Sequence, residues 1–265
     1  MEELFGKIKE LNKNPLVATF YMTTRCNLRC NYCYELDRAT VEDLSSERIV
    51  RVLEGLSAHD IHMEALFLFG GEPTLCADNC LFLLTQLKQM KQNNNIRKVL
   101  FTNGMVIPDR LLTLITDNEL DVFLSSDGFG EAAKERYGVY FADKQSVFLR
   151  NLKRMQPETS RITISAAVGK HNIQTIVNDM DLFFRNYHIR SFKINIIRKN
   201  CFAASYDQLS KERQKALVWA GQNEIELMWD PPAAFGSQYD NLYISQERIS
   251  FQPAGLLGTW SNVSW

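Results

Sequence analysis

Three cysteines, Cys26, Cys30 and Cys33, lie in the run Thr-Thr-Arg-Cys-Asn-Leu-Arg-Cys-Asn-Tyr-Cys-Tyr, directly after an apolar stretch. Three thiolates this close in sequence can converge on one face of a soft, multi-iron centre from a single short loop. With only three ligands on offer, a cubane held here keeps one iron free for another molecule. A structural zinc loop would need a fourth nearby ligand, and the first histidine of the chain is His59.

Other short polar motifs follow apolar runs. Gly70-Gly71-Glu72-Pro73 ends one such run, and glycines there let backbone carbonyls or amides approach a ligand that side chains would otherwise mask. A cationic ammonium needs acceptors, which this backbone and Glu72 supply. Thr102-Asn103-Gly104 and Ser126-Asp127-Gly128 end two further runs, and short polar groups of this kind suit ribose hydroxyls and a carboxylate. Asn-Gly and Asp-Gly also form turns anywhere. In the run 161–168, Thr163, Ser165 and Ala167 alternate with Ile162, Ile164 and Ala166, which places Ser165 on the polar face. In 191–197, Lys193 and Asn195 share a face, and an interior lysine there requires a carboxylate or a substrate group. Cys201 follows three residues later, and a weak S–H bond near a site mouth is a hydrogen-atom donor. Cys76 and Cys80, a Cys-x3-Cys pair at a helix entry, read as structural, since most isolated thiols are small buried hydrophobes. The four histidines suggest no metal site.

The elements that must carry these residues alternate. Strands are expected at 16–23, 65–69, 98–101, 120–124, 161–168 and 191–197. Helices are expected at 45–56, 79–92, 109–117, 146–155 and 173–187, the last being the longest amphipathic one. Such alternation signals a parallel sheet with crossover helices, in which sites gather at the C-terminal ends of the strands. Residues 1–14 read as an amphipathic helix packed on the body. Past residue 222, Pro231-Pro232, Gly236-Ser237 and Asp240-Asn241 break the chain into short strands. A hairpin of 242–245 and 248–251 is expected across Gln246-Glu247.

The 265 residues, 45% hydrophobic and 23% charged with a net charge of −1, describe an ordinary globule without a broad phosphate-binding surface. The composition argues against nucleic acid as a partner. No uncharged apolar stretch is long enough to span a membrane, and the N-terminus lacks a secretory core. Unpaired thiols point to a reducing cytoplasm.

Cys-x3-Cys-x2-Cys with an aromatic before the last cysteine resembles the radical S-adenosylmethionine (SAM) superfamily. The resemblance implies an α/β fold, a partial (β/α)6 barrel over about residues 15–221, with an N-terminal helix (1–14) and a short C-terminal extension (222–265). It implies an enzyme, an oxidoreductase in the broad sense, with a [4Fe–4S] cluster on Cys26, Cys30 and Cys33. The fourth iron of that cluster would chelate the amino and carboxylate groups of SAM. Gly70, Gly71 and Glu72 match the family's Gly-Gly-Glu motif for the SAM ammonium, and Tyr32 stands where an aromatic lies near the adenine. Ser126 and Asp127, with Asn103, Ser165 and Asn195, are the further SAM-site expectations, and Cys201 the catalytic one. The hairpin and Gly255-Leu256-Leu257-Gly258-Thr259 resemble the opening of the SPASM or twitch extension of peptide-modifying members. Gln252-Pro253 stands where those place a cluster cysteine, so the extension reads as degenerate and metal-free. The expected substrate is a ribosomally made peptide undergoing epimerisation, cross-linking or a related C–H transformation. The alternative is a small molecule such as a nucleotide, sugar or amino acid. An electron donor such as flavodoxin or ferredoxin, and a separate leader-peptide-binding protein, are the partners this implies.

Overall fold

A computed structural model describes residues 2–33, 41–90, 96–155, 161–198, 201–229, 240–246 and 248–252. In chain order the elements are α1 (Glu2–Leu11), β1 (Leu16–Thr23), α2 (Ser46–Ala58), β2 (Met63–Gly70), α3 (Ala77–Gln89), β3 (Arg97–Thr102), α4 (Asp109–Thr116) and β4 (Asp121–Ser125). There follow α5 (Lys134–Tyr137), α6 (Phe141–Met155), β5 (Ile162–Val168), α7 (Ile176–Tyr187), β6 (Ser191–Ile196), α8 (Tyr206–Asn223), β7 (Glu226–Trp229), β8 (Asp240–Ile244) and β9 (Ile249–Gln252). They fall into two compact units, one from segments 1–26, 38–101 and 231–265, the other from 27–37 and 102–230.

In the first unit, β1 lies between two parallel partners, β2 on one side and β8 on the other. A strand covered on both faces reads as a continuous apolar run, and seven of the eight residues of β1 are buried. β3 extends the sheet beyond β2, and β9 closes the other side antiparallel to β8. The expected hairpin is therefore present, and its first strand joins the sheet beside β1, a pairing that the sequence pattern does not reveal. Helix α2 opens on Ser45, whose Oγ accepts from the amide of Arg48 at 3.2 Å. It buries Ile49, Val52, Leu53 and Leu56, the helical stripe expected from the sequence.

In the second unit, β4, β5, β6 and β7 pair in parallel in that order. Strand β7, residues 226–229, is one of the short strands expected past residue 222, and it pairs in parallel with β6. The four residues are too few to show periodicity. Helix α6 begins five residues before its expected start, and α7 three residues after. The longest helix among the described residues is α8, with 18 residues. Its capping box, Ser205 with Gln208, is the local signal for its start. Trp219 of α8 packs edge-on against Phe184 of α7 and Phe192 of β6, and its indole N–H donates to Asp181 at 3.1 Å. Residues 231–239 and 253–259, including the Pro-Pro, Gly-Ser and Gly-Leu-Leu-Gly-Thr features, lie outside the described residues.

A glycine in the middle of α2 shows why α1 docks. A Cβ at Gly55 would sit 2.1 Å from the ring of Phe5, which is fully buried. Gly55→Ala should therefore force the ring out and destabilise the protein by about 1–3 kcal/mol, more than any gain in helix propensity returns. Chemical denaturation of the purified variant checks this.

Candidate functional site

The three loop cysteines form no disulfide: Cys26 is exposed, Cys30 buried and Cys33 half-buried. Cys26 ends a segment of the first unit, and Cys30 and Cys33 open the second. Among the described residues the structure does not gather three donor side chains into a metal-holding group. What it does fix is the loop backbone of the second unit. The amide of Cys33 turns back onto the carbonyl of Cys30 at 2.9 Å. Asn31 donates twice to Glu135, from its amide at 3.0 Å and its side chain at 2.7 Å. Asn103, expected at the site from its strand end, donates to Asn27 Oδ1 at 2.8 Å and accepts from the amide of Met105 at 2.9 Å. Its side chain thus anchors the loop.

In the first unit the glycine turn closes against the end of β1. Gly70 has φ +136°, and Cβ atoms at Gly70 and Gly71 would lie 2.3 Å from the carbonyl oxygens of Thr23 and Arg25. Only glycine tolerates both the torsion and the approach. The amide of Gly71 donates to Thr23 O at 2.8 Å and that of Glu72 to Arg25 O at 2.7 Å. These glycines thus let two backbone segments touch each other. Glu72 is 1% exposed, and its Oε1 accepts from Thr74 N at 3.2 Å and Thr74 Oγ1 at 2.7 Å, capping the short 3-10 turn Pro73–Cys76. Cys76 and Cys80 are buried, and burial pushes both thiols up from their ordinary pKa, which suits inert packing residues.

Asp127 is the centre of the second unit's polar interior. It is fully buried, and its carboxylate accepts from the Tyr32 hydroxyl, from Arg136 Nη2 at 2.7 Å and from the amide of Ala167 at 3.0 Å. Burial, opposed by Arg136 and reinforced by Asp127, raises the Tyr32 hydroxyl well above its ordinary pKa, so it stays protonated and donates. Asn172 donates to the carbonyls of Asp127 and Ala167, both at 3.0 Å. Ser126 donates its amide to the carbonyl of Ser165 at 3.0 Å, and Asn195 Nδ2 donates to Ser165 Oγ at 2.9 Å. Tyr32, Asp127, Ser126, Ser165 and Asn195 thus belong to one hydrogen-bonded region. Lys193 faces the ring of Phe123, its Nζ 5.6 Å from the centroid.

Around the Tyr32 ring, His171 stacks at 5.8 Å and 16°, Arg136 sits 5.8 Å from the centroid, and Phe202 meets it edge-on at 6.4 Å. Cys201, the residue before Phe202, is exposed on a turn. Four buried polar atoms here make no hydrogen bond among the described residues: Nδ1 and Nε2 of His171, Nε of Arg136 and the Tyr137 hydroxyl. Arg136, Tyr137 and His171 escaped the sequence reading. Arg136 and Tyr137 sit in Lys-Glu-Arg-Tyr, which looks like an ordinary charged surface turn. His171 offered no periodic or spacing signal. The one usable hint was their nearness, in sequence, to the Asp-Gly end of β4 and to the end of β5.

Burial lowers the His171 pKa from its ordinary 6.5, with Asp127 and Glu135 favouring the charge and Arg136 opposing it. A group whose folded pKa is depressed and whose neutral form is preferred costs stability once the unfolded chain begins to bind the proton. Stability should therefore fall as pH drops below 6.5 toward the lower folded value. The loss of melting temperature between neutral and mildly acidic buffer should be smaller in His171→Phe than in the parent, measured on metal-free protein.

The geometry can be set beside known proteins. The model of the radical SAM superfamily matches residues 20–183. The Fe-coproporphyrin III synthase of Methanosarcina barkeri is 28% identical over 176 residues, 64% of this chain and 41% of that protein. The sporulation killing factor maturation protein SkfB of Bacillus subtilis is 24% identical over 164 residues, 61% of this chain and 38% of that protein. The chain thus spans less than half the length of these relatives. SuiB of Streptococcus suis, solved with S-adenosylmethionine, superimposes with a TM-score of 0.70 over 92% of this chain and 62% of its own, at 19% identity. That likeness carries the fold: α/β with a mostly parallel, open sheet, the partial barrel expected from the alternating elements. Matched over more than half its length, the chain belongs to the radical SAM superfamily, enzymes that use a [4Fe–4S] cluster and S-adenosylmethionine.

Proposed function

We propose that the protein reductively cleaves SAM and uses the radical to take a hydrogen atom from a peptide substrate. The observation that carries the reading is the cysteine loop, three cysteines in no disulfide with Cys26 exposed and Cys33 half-buried, within a chain of this family. The donor set fits the group: three soft thiolates suit iron, and no further protein ligand is required. The unpartnered atoms of His171, Arg136 and Tyr137 around Tyr32 fit a polar molecule as well, because buried donors and acceptors without partners are costly. In this reading Cys26, Cys30 and Cys33 hold the cluster, and Gly70 and Gly71 offer backbone acceptors to the SAM ammonium beside Glu72. Tyr32, Asn103, Ser126, Asp127, Ser165 and Asn195 shape the rest of the SAM site, largely by orienting one another. The cluster, held by Cys26, Cys30 and Cys33 and given one electron by an external donor, would supply with SAM the radical chemistry for hydrogen abstraction. The chain's own work is to place the substrate carbon and exclude water.

A peptide substrate draws support from two relatives. SkfB is by name a maturation protein, and SuiB has been solved bound to its precursor peptide SuiA. The small-molecule alternative draws on the Fe-coproporphyrin III synthase. A one-electron donor such as ferredoxin or flavodoxin, and a leader-binding partner, complete the proposal. Among the described residues no helix is long and apolar enough to cross a membrane.

Anaerobically reconstituted protein should yield 5′-deoxyadenosine on reduction. Cys26→Ala, Cys30→Ala and Cys33→Ala should each abolish it, and Cys76→Ala and Cys80→Ala should leave it in place. Chromatography of quenched reactions reads the product. Cys201 gives a second test. If the outcome is epimerisation, the exposed thiol donates a hydrogen atom to the carbon radical, and the resulting thiyl is restored by one electron from the external donor and one proton. In deuterated buffer the product's α-carbon should then carry deuterium, and Cys201→Ala should consume SAM without inverting a residue. Normal turnover by that variant points instead to cross-linking or small-molecule chemistry, which mass spectrometry of candidate peptides and metabolites separates.

A further inference from the structure

One residue outside every motif holds the start of the cysteine loop. Asp43 stands opposite Thr23 on an isolated antiparallel bridge. Thr24 N donates to Glu42 O at 2.9 Å and Leu44 N to Met22 O at 2.8 Å. The Asp43 carboxylate gathers three donors: Thr23 Oγ1 at 2.5 Å, Arg25 Nε at 3.0 Å and Arg25 Nη2 at 2.5 Å. Thr23 Oγ1 in turn accepts the amide of Arg25 at 3.0 Å. The guanidinium also reaches Leu75 O at 3.1 Å, in the 3-10 turn that follows Gly-Gly-Glu. The Arg25 carbonyl, as described above, takes the amide of Glu72. Residue 25 is therefore tied to Asp43 by its side chain and to the turn at 70–75 by side chain and backbone both, and the next residue is Cys26.

Stability alone does not account for the arrangement. The Arg25 and Asp43 side chains are 41% and 38% exposed, and an ion pair so solvated contributes little. A two-point guanidinium–carboxylate contact with a third bond to a carbonyl is instead a geometric device, fixing where Arg25 stands. We propose that Asp43 is a positioning residue. Through Arg25 it holds the Cys26 end of the loop and the Gly70–Gly71 turn in one register, so that a cluster ligand and the SAM ammonium site move as a single piece. The role rests on the function proposed above; the clamp itself does not.

Two measurements on Asp43→Asn and Arg25→Lys separate the clamp from that function. In metal-free full-length protein, amide hydrogen exchange at Gly71 and Glu72 should quicken in both variants while the melting temperature stays near that of the parent. Unchanged exchange overturns the clamp. After reconstitution both variants should carry the parent's iron content yet bind SAM about tenfold more weakly, the scale of one charge-assisted hydrogen bond. The change in the cluster's electron paramagnetic resonance on adding SAM should shrink accordingly in both variants, since neither keeps the two-point contact between guanidinium and carboxylate. Faster exchange with parental SAM affinity and spectrum overturns the positioning role. A parent protein that takes up no cluster overturns the proposed function, and the role with it, whatever the exchange data say about the clamp.

Discussion

A carboxylate removed from water must find donors or give up its charge, and Asp127 finds them at three separated points of the chain. The Tyr32 hydroxyl comes from the cysteine loop, the Arg136 guanidinium from α5, and the Ala167 amide from the end of β5. The second unit's polar interior depends on that one acceptor. Were it missing, Arg136 would be a buried charge without a counter-ion, a far larger penalty than the loss of any single hydrogen bond. The same acceptor sets the Tyr32 ring against His171 and Phe202, one residue from Cys33. Loop, helix and strand end are oriented together because they share an anion.

The first unit reaches a comparable result with backbone. Its glycine turn spends two amides on the carbonyls of Thr23 and Arg25. Here the required feature is an absence of atoms, since any Cβ at Gly70 or Gly71 would overlap those carbonyls. One unit thus aligns its segments by charge and the other by close approach. Both devices act at strand ends, where a parallel sheet collects its loops.

How much of this was legible follows from which signals are local. The Cys-x3-Cys-x2-Cys spacing, the Gly-Gly-Glu turn and the run of β1 are each contained within a dozen residues, and each could be read directly. Helix α2 was legible from one cap and one stripe. The partners of Asp127 were not, because Arg136 and His171 acquire meaning only when folding brings distant segments together. Asp127, Glu72 and Asn103 drew attention by residue type. Their observed contacts are to Tyr32 and Arg136, to Thr74, and to Asn27, so chemistry-bearing side chains here are engaged by the protein's own donors and acceptors. The place of β7 beside β6 was hidden for another reason. Four residues cannot display a period, and only a neighbour's edge makes them a strand.

The pairing of β8 with β1 has a consequence for how the chain is made. Leu16 meets Asp240 in that register, 224 residues further along the chain. On the ribosome, β1 and β2 can associate early, yet one edge of β1 stays bare until residues 240–244 have emerged. An apolar strand with unpaired amides and carbonyls is an aggregation hazard for as long as it waits, and contacts so distant in sequence form slowly. The strand that leads into the cysteine loop is thus made well before the strand that covers its second edge, so β1 cannot be fully paired before β8 arrives.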